Sequence, residues 1–287
     1  MSVALPITER QERARAWFEE LRDRIHKALE DIEDEYTEGQ GSELPFGAFE
    51  RQSWQRDGGG GGVMGLMREG RVFEKAGVNI STVYGEFSDK FAAQIPGADI
   101  DPSFWASGIS LVIHPRNPHV PPVHMNTRHI VTSKVWFGGG ADLNPIIEYE
   151  QDTAAFHARL QATCDQFSPN YYEKFKAWAD DYFWIKHRNE PRGVGGIFYD
   201  YLESGDFEAD FAFTRAVGEA FLDIYPQIVR QRMHTPWDER ERDLQLFRRG
   251  RYVEYNLVYD RGTRFGLETG GNPDAILMSL PPLVAWP

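Results

Sequence analysis

Four of the chain's eight histidines recur every five residues, at His114, His119, His124 and His129, within HPRNPHVPPVHMNTRH. Imidazole is the side chain best suited to moving protons near neutral pH, and it is also a common metal ligand. Five-residue spacing matches neither one helix face nor one strand face. Pro115, Pro118, Pro121 and Pro122 exclude a regular helix here. Two more histidines, His157 and His187, fall in segments with helical spacing. One reading gathers His114, His124, His157 and His187 around a divalent cation. The other leaves them as separate hydrogen-bonding side chains.

The end of this stretch has sharper chemistry. If 124–128 is extended, His124, Asn126 and Arg128 share one face. A proton carrier, an amide and a guanidinium that clamps carboxylates together describe a site for an acidic substrate. A solvated edge strand is the competing reading. Ser110 and His114 share a side of the preceding run. FGGGADLNP follows, and its glycines let backbone approach a partner closely while Asp142 offers a carboxylate. An ionised carboxylate only accepts hydrogen bonds, so a pyrrole N–H is a natural partner for Asp142. A hairpin loop with an Asx turn is the alternative. KHRNEPRGVGG concentrates cations after a helix, where the dipole favours them anyway. Arg249, Arg251, Arg261 and Arg264 form a last basic group. The run Gly58 to Gly62 is no P-loop, lacking the Lys-Ser/Thr ending; it reads as a loop that is either flexible or folded over a ligand.

These groups need a scaffold. Thr8 and Gln11 form a capping-box pattern, and apolar residues then recur every three or four positions, predicting a helix over 8–36. Short β-branched or aromatic runs at 72–73, 78–83, 109–113, 129–131 and 135–137 predict strands joined closely enough to be antiparallel. Helices are expected over 153–166, 170–187, 207–233 and 237–247, with Pro226 kinking or breaking the third. Alternation over 251–259, then 264–268 and 276–280, predicts a return to strands. The sum is one α+β domain over 1–287: a mostly antiparallel sheet covered by helices.

Bulk properties narrow the function. The chain has 287 residues, 41% hydrophobic and 14% aromatic, and a net charge of −13. Such a charge disfavours nonspecific binding to nucleic acid or anionic membranes. A single cysteine, Cys164, excludes an internal disulfide and points to a reducing compartment. The first residues lack an apolar signal core, and no apolar run approaches the ~20 residues of a membrane span. The expectation is a cytoplasmic protein without a transmembrane segment.

With these motifs in hand, the chain resembles the oxygen-dependent coproporphyrinogen III oxidases of haem biosynthesis. The resemblance runs from about Trp54 to Trp286. It includes WQRDGGGGG, FEKAGVNIS, SLVIHPRNPHVPPVHMNTR, WFGGGADLNP, YYEKFKAWADDYFWIKHRNEPRGVGGIFYDYL and RGRYVEYNLVYDRGTRFGLETGG. It implies a flat antiparallel sheet of about seven strands between helical layers, and a homodimer to which the C-terminal strands, 251–287, contribute. It implies conversion of two propionates of coproporphyrinogen III to vinyls by O2, with CO2 and hydrogen peroxide released. No cofactor is required for that chemistry, although a divalent cation is described for some members. By resemblance His124, Asp142 and Arg128 are catalytic. Ser110, Asn126, Thr127, Arg128, Arg261, Gly270, Gly271 and Asn272 fall at substrate-binding positions. His114, His124, His157 and His187 match metal-contacting positions; His119 and His129 match no assigned role. Asn272 stands where many members have Arg, Asn144 replaces a frequent Thr, and Tyr201 follows Asp200 where a second Asp is common.

Overall fold

The computed structural model describes residues 8–268 and 270–286. Helix α1 (Glu9–Glu35) opens with the expected capping box: Thr8 and Gln11 satisfy each other's backbone N–H groups. Then come β1 (Glu50–Gln55), β2 (Gly60–Arg68), β3 (Phe73–Glu86), the short α2 (Asp89–Ala92), β4 (Ser103–Pro115), β5 (Val123–Val131) and β6 (Val135–Leu143). Helices α3 (Glu150–Asp165) and α4 (Tyr171–Tyr182) follow, with a small hairpin of β7 (Trp184–Ile185) and β8 (Glu190–Pro191). The chain re-enters the sheet as β9 (Gly195–Leu202) and finishes with α5 (Phe207–Arg232), α6 (Glu239–Val258), α7 (Arg261–Glu268) and α8 (Pro273–Leu277). The main sheet has seven strands in the order β1-β2-β3-β4-β5-β6-β9, every pair antiparallel. This is the α+β class that the sequence predicts.

Strand periodicity gives the sheet two faces. One carries Val78, Ile109, Leu111, Met125, Phe137, Ala141, Ile197 and Tyr199 into a core with α1, α3 and α5. Helices α1 and α5 run side by side in register. Arg13 pairs with Glu208, Arg24 with Glu219 and Glu35 with Arg230, one bidentate pair every eleven residues, or three turns. Gly218 lets them approach: a Cβ there would stand 2.6 Å from Leu21 Cδ2. Helix α4 wraps the β9 edge. Its Phe175 packs on Tyr199 at 5.4 Å, while Tyr182 stacks on Phe198 at 4.1 Å on the opposite face.

Three expectations are corrected. The glycine runs are mostly strand: Gly58 and Gly59 turn between β1 and β2, but Gly60 to Gly62 start β2 and Gly138 to Gly140 lie inside β6. Helix α5 continues through Pro226, which is buried in the core. The C-terminal region is helical, not stranded. Val253, Tyr255, Leu257 and Tyr259 alternate as in a strand, but burial of Gln245, Arg249, Tyr252 and Asn256 follows a helical stripe. That stripe extends from a capping box at Asp238 and Glu241.

Candidate active site

The other sheet face holds the polar residues in rows. Across β2 to β6, Gly62, Ser81, Gly108, Arg128 and Gly138 oppose one another. The next row is Met64, Asn79, Ser110, Asn126, Gly140 and, on β9, Phe198. The third is Leu66, Gly77, Val112, His124, Asp142 and Gly196. The first row has three glycines, so few side chains rise from it. The result is a shallow shelf with His124, Asn126 and Arg128 along one strand. Helix α8 covers the β1–β3 part of this face: Ala275 and Met278 pack with Met64 and Trp54, and Met278 lies over Gly77.

Beside the shelf is a buried charged cluster. Asp142 Oδ1 accepts from His124 Nδ1 at 2.8 Å and from Arg192 Nη2 at 2.7 Å. Its Oδ2 accepts from Arg192 Nε at 3.2 Å and Asn144 Nδ2 at 3.0 Å. Both Asp142 and Arg192 are almost fully enclosed. Arg192 lies against the rings of Phe183, Tyr252 and Tyr255 at 4.3–4.8 Å. Burial alone opposes the charged carboxylate, but Arg192 and His124 outweigh it and hold the Asp142 pKa below the usual carboxylate range. The Arg192 guanidinium likewise stays charged against burial because Asp142 faces it.

This cluster sets the histidine's tautomer. An ionised carboxylate needs the proton on His124 Nδ1. Nε2 is then a lone pair, and it accepts from Asn126 Nδ2 at 3.2 Å. Asn126 Oδ1 faces Arg128 Nη1 at 3.5 Å, and Arg128 Nη2 pairs with Asp200 at 2.8 Å. One polar chain therefore runs from the buried Asp142 along β5 to a partly open guanidinium. Burial works against the Arg128 charge, and Asp200 more than restores it.

The remaining expected residues separate. Ser110 faces the shelf beside Asn126. Thr127 does not: it is fully buried on the core side, where its Cγ2 and Tyr199 Oη would crowd a Cβ at Gly139. A neighbour in sequence is on the opposite face of a strand, so its substrate-contact assignment is corrected. Arg261 is half-exposed, with Nη2 4.0 Å from Asp200 Oδ2. Gly270 forms a turn at φ 74, and Asn272 caps α8 through bonds from Asp274 N and Ala275 N. Asp142 is saturated by side-chain donors and 0% exposed, so here it orients His124 rather than offering itself to a pyrrole N–H.

The four proposed metal-contacting histidines do not converge. His114 Nε2 donates to Ser279 O, His157 bonds Tyr172 Oη and Val194 O, and His187 bonds Tyr259 Oη and Glu254. Only His124 belongs to the cluster. Among the described residues, no three His, Cys, Asp or Glu side chains gather where they could hold one metal ion. The residues therefore do not fit a four-histidine centre within this subunit. Residue-type reasoning placed Arg192 only in a basic segment after a helix. Its signal was the tight Pro191-Arg192-Gly193 turn that feeds β9.

A family model described as coproporphyrinogen III oxidase matches residues 13–287. An oxygen-dependent coproporphyrinogen-III oxidase of Rickettsia bellii (strain RML369-C) is 59% identical, covering 94% of this chain and 96% of that protein. The protein of the same name from Rickettsia felis is 58% identical over 97% of this chain and 99% of its own length. Another, from Rickettsia africae, is 56% identical over the same shares. Matches of this extent leave no element of the sheet or the charged cluster outside the shared region, and the chain belongs to the coproporphyrinogen III oxidase family.

Proposed function

We propose that this chain catalyses the O2-dependent oxidative decarboxylation of coproporphyrinogen III, turning the ring A and B propionates into vinyls to give protoporphyrinogen IX in haem biosynthesis. The observation that carries the reading is the row His124, Asn126 and Arg128 on a glycine-floored shelf, backed by the Asp142–Arg192 pair. A flat tetrapyrrole needs a surface without protruding side chains, and its carboxylates need guanidinium groups.

For each ring, a propionate, O2 and one proton give a vinyl group, CO2 and hydrogen peroxide. The propionate β-carbon loses a hydrogen with two electrons. The pair of the C–CO2 bond becomes the vinyl π bond. O2 takes the two electrons, the released proton and one further proton. Arg128 binds a substrate carboxylate and fixes that β-carbon. His124 supplies or receives a proton at Nε2, and Asp142 with Arg192 holds the imidazole in the required tautomer. Ser110 and Asn126 contact the macrocycle. Arg261, Gly270, Gly271 and Asn272 close its rim. O2 is the oxidant, and no cofactor is assigned to the chemistry.

The functional unit is a cytoplasmic homodimer of one domain spanning 1–287. The exposed Leu257, Val258, Leu283 and Trp286 support the C-terminal region as the dimer surface. No helix among the described residues is long and apolar enough to cross a membrane.

The test is turnover by chelator-treated protein supplied with coproporphyrinogen III, with and without O2, followed by appearance of the divinyl product. Oxygen-dependent turnover is expected. Turnover that returns only with an added divalent ion would overturn the cofactor-free assignment. No turnover under any of these conditions would overturn the function.

A further inference from the structure

Strand β9 contains one irregularity, and it faces the shelf. Phe137 pairs with Leu202 and Gly139 with Tyr199, so Asp200 and Tyr201 together stand opposite Gly138. An extra residue of this kind bends a strand and re-aims a side chain. Tyr201 has φ 54, a left-handed conformation that strains a non-glycine residue. Its N–H donates to Asp200 Oδ1 at 3.0 Å. The other carboxylate oxygen receives Arg128 Nη2 at 2.8 Å.

Gly138 completes the arrangement. A Cβ there would stand 2.7 Å from Asp200 Oδ1 and 3.0 Å from Arg128 Nε. The ion pair therefore bridges from β5 to β9 over a strand that has no side chain at that point. A bulge, a strained tyrosine and a glycine all serve one contact. Net stability is a poor account of it, since the cost of desolvating a mostly enclosed pair offsets most of its attraction. Position is a better one. The Asp200 side chain is 9% exposed and Arg128 30%, so the carboxylate sits behind the guanidinium and leaves it partly open. A second guanidinium waits nearby: Arg261 Nη2 is 4.0 Å from the same Asp200 Oδ2, over the Tyr182 ring at 5.3 Å.

We infer that Asp200 is a resident carboxylate of the Arg128 site, a positioning residue that holds the guanidinium over Gly138 until a substrate carboxylate takes it and then transfers to Arg261. The inference rests on the functional reading above. Charge stays balanced throughout. In the empty site Arg128 is paired, and in the occupied site Asp200 is paired with Arg261. An incoming ligand without a carboxylate gains nothing from the exchange, so the device also selects for carboxylate substrates.

The experiment measures binding of coproporphyrin III, a tetracarboxylate that does not react, and of its tetramethyl ester, by fluorescence titration. Wild type, Asp200→Asn, Arg261→Gln and the double variant are compared. Asp200→Asn keeps an oxygen for the Tyr201 N–H but removes the competing charge. It is expected to tighten the tetracarboxylate about three- to tenfold, the size of a partly exposed ion pair, and leave the ester unchanged. Arg261→Gln is expected to weaken the tetracarboxylate by a similar factor, and to weaken it less in the Asp200→Asn background, where no carboxylate is left to transfer. A purely structural role predicts equal changes for both ligands. Weaker or unchanged tetracarboxylate binding in Asp200→Asn, or equal shifts for acid and ester, would overturn the proposal. An unchanged affinity in Arg261→Gln would overturn it as well. Carboxylate-selective tightening in a protein that never converts coproporphyrinogen would instead reject the function and keep the site.

Discussion

On β5, Met125, Thr127 and His129 lie under the helices with no more than 1% exposure, while His124, Asn126 and Arg128 stay partly open on the other side. The same strand therefore supplies stability on one face and chemistry on the other. The faces are built differently. The helix-covered face is dense with aromatic contacts: Phe213 alone meets Phe167, Tyr171, Phe175 and Tyr199 within 5.0–5.8 Å. The shelf face is floored by glycines and held by hydrogen bonds and ion pairs. Packing fixes the first, and substitutions there act on folding free energy. Charge placement fixes the second, and substitutions there act on turnover.

Asp142 is where this separation is weakest, so it is the first place to press. Asp142→Asn replaces the acceptor-only carboxylate that fixes the His124 tautomer with an amide that also donates, and leaves the Arg192 charge unpaired among aromatic rings. Turnover is expected to fall about 10²- to 10⁴-fold, the usual range for a disabled acid–base group. Stability is expected to fall by about 3–5 kcal/mol, as when a buried pair loses one member. Steady-state kinetics and urea unfolding read the two effects. Wild-type turnover in this variant would remove Asp142 and His124 from the mechanism. Phe213→Ala sharpens the contrast from the other face. It is expected to cost about 3–5 kcal/mol while KM for coproporphyrinogen stays put. A raised KM with little loss of stability would show that the faces are not independent.

The histidines give the comparison a pH axis. Burial lowers His26 and His114 to about 3 and His129 to about 4, from an ordinary 6.5, and neighbouring arginines add to all three. A histidine that resists protonation when folded makes the unfolded chain bind more protons as pH falls. Its contribution is complete above pH 6.5 and is lost progressively between 6.5 and about 3. Thermal unfolding followed across this window is expected to show stability falling with acid. His26→Phe should flatten part of that slope. His26 already stacks flat on Phe49 at 3.8 Å, and neither of its ring nitrogens has a partner. A slope unchanged in this variant would assign the acid sensitivity to other groups.

How legible the site was depended on where its parts sit in the chain. His124, Asn126 and Arg128 alternate within five residues, so strand periodicity alone put them on one face, and the structure agrees. Asp142 reaches His124 through the β5–β6 pairing, a short-range contact that a glycine-rich hairpin suggests. Arg192, just before β9, and Asp200, on it, arrive after two helices, and no local pattern links them to β5. The glycine runs misled because glycine usually marks turns; in β2 and β6 it clears space for neighbouring strands and side chains. The C-terminal helices were misread as strands because β-branched and aromatic residues alternate over 251–259, whereas burial against the rest of the molecule follows the helical period. Residue type made His114, His124, His157 and His187 look like one set, and the fold gives each a different partner.

The smallest expected effect lies farthest from the shelf. Arg24 and Glu219 form one rung of the α1–α5 ladder, at 2.6 Å and each about two-fifths exposed. The pair is bidentate, yet water screens it and two long side chains must be ordered to make it. Arg24→Ala is therefore expected to lower stability by no more than about 1 kcal/mol and to leave kcat and KM unchanged. The underlying helix contact does not depend on it, because Leu21 packs against Gly218 one turn away. Gly218→Ala should do more harm than losing the ion pair, since its new methyl would meet the fully buried Leu21 Cδ2 at 2.6 Å, and overpacking of about 1–3 kcal/mol outweighs the roughly 1 kcal/mol that alanine gains in helix propensity. Denaturant midpoints of the two variants, measured side by side, rank packing against charge on the helix-covered face. If Arg24→Ala proved the more damaging, this face too would be held by charge placement, and the contrast between the two sides of the sheet would fail.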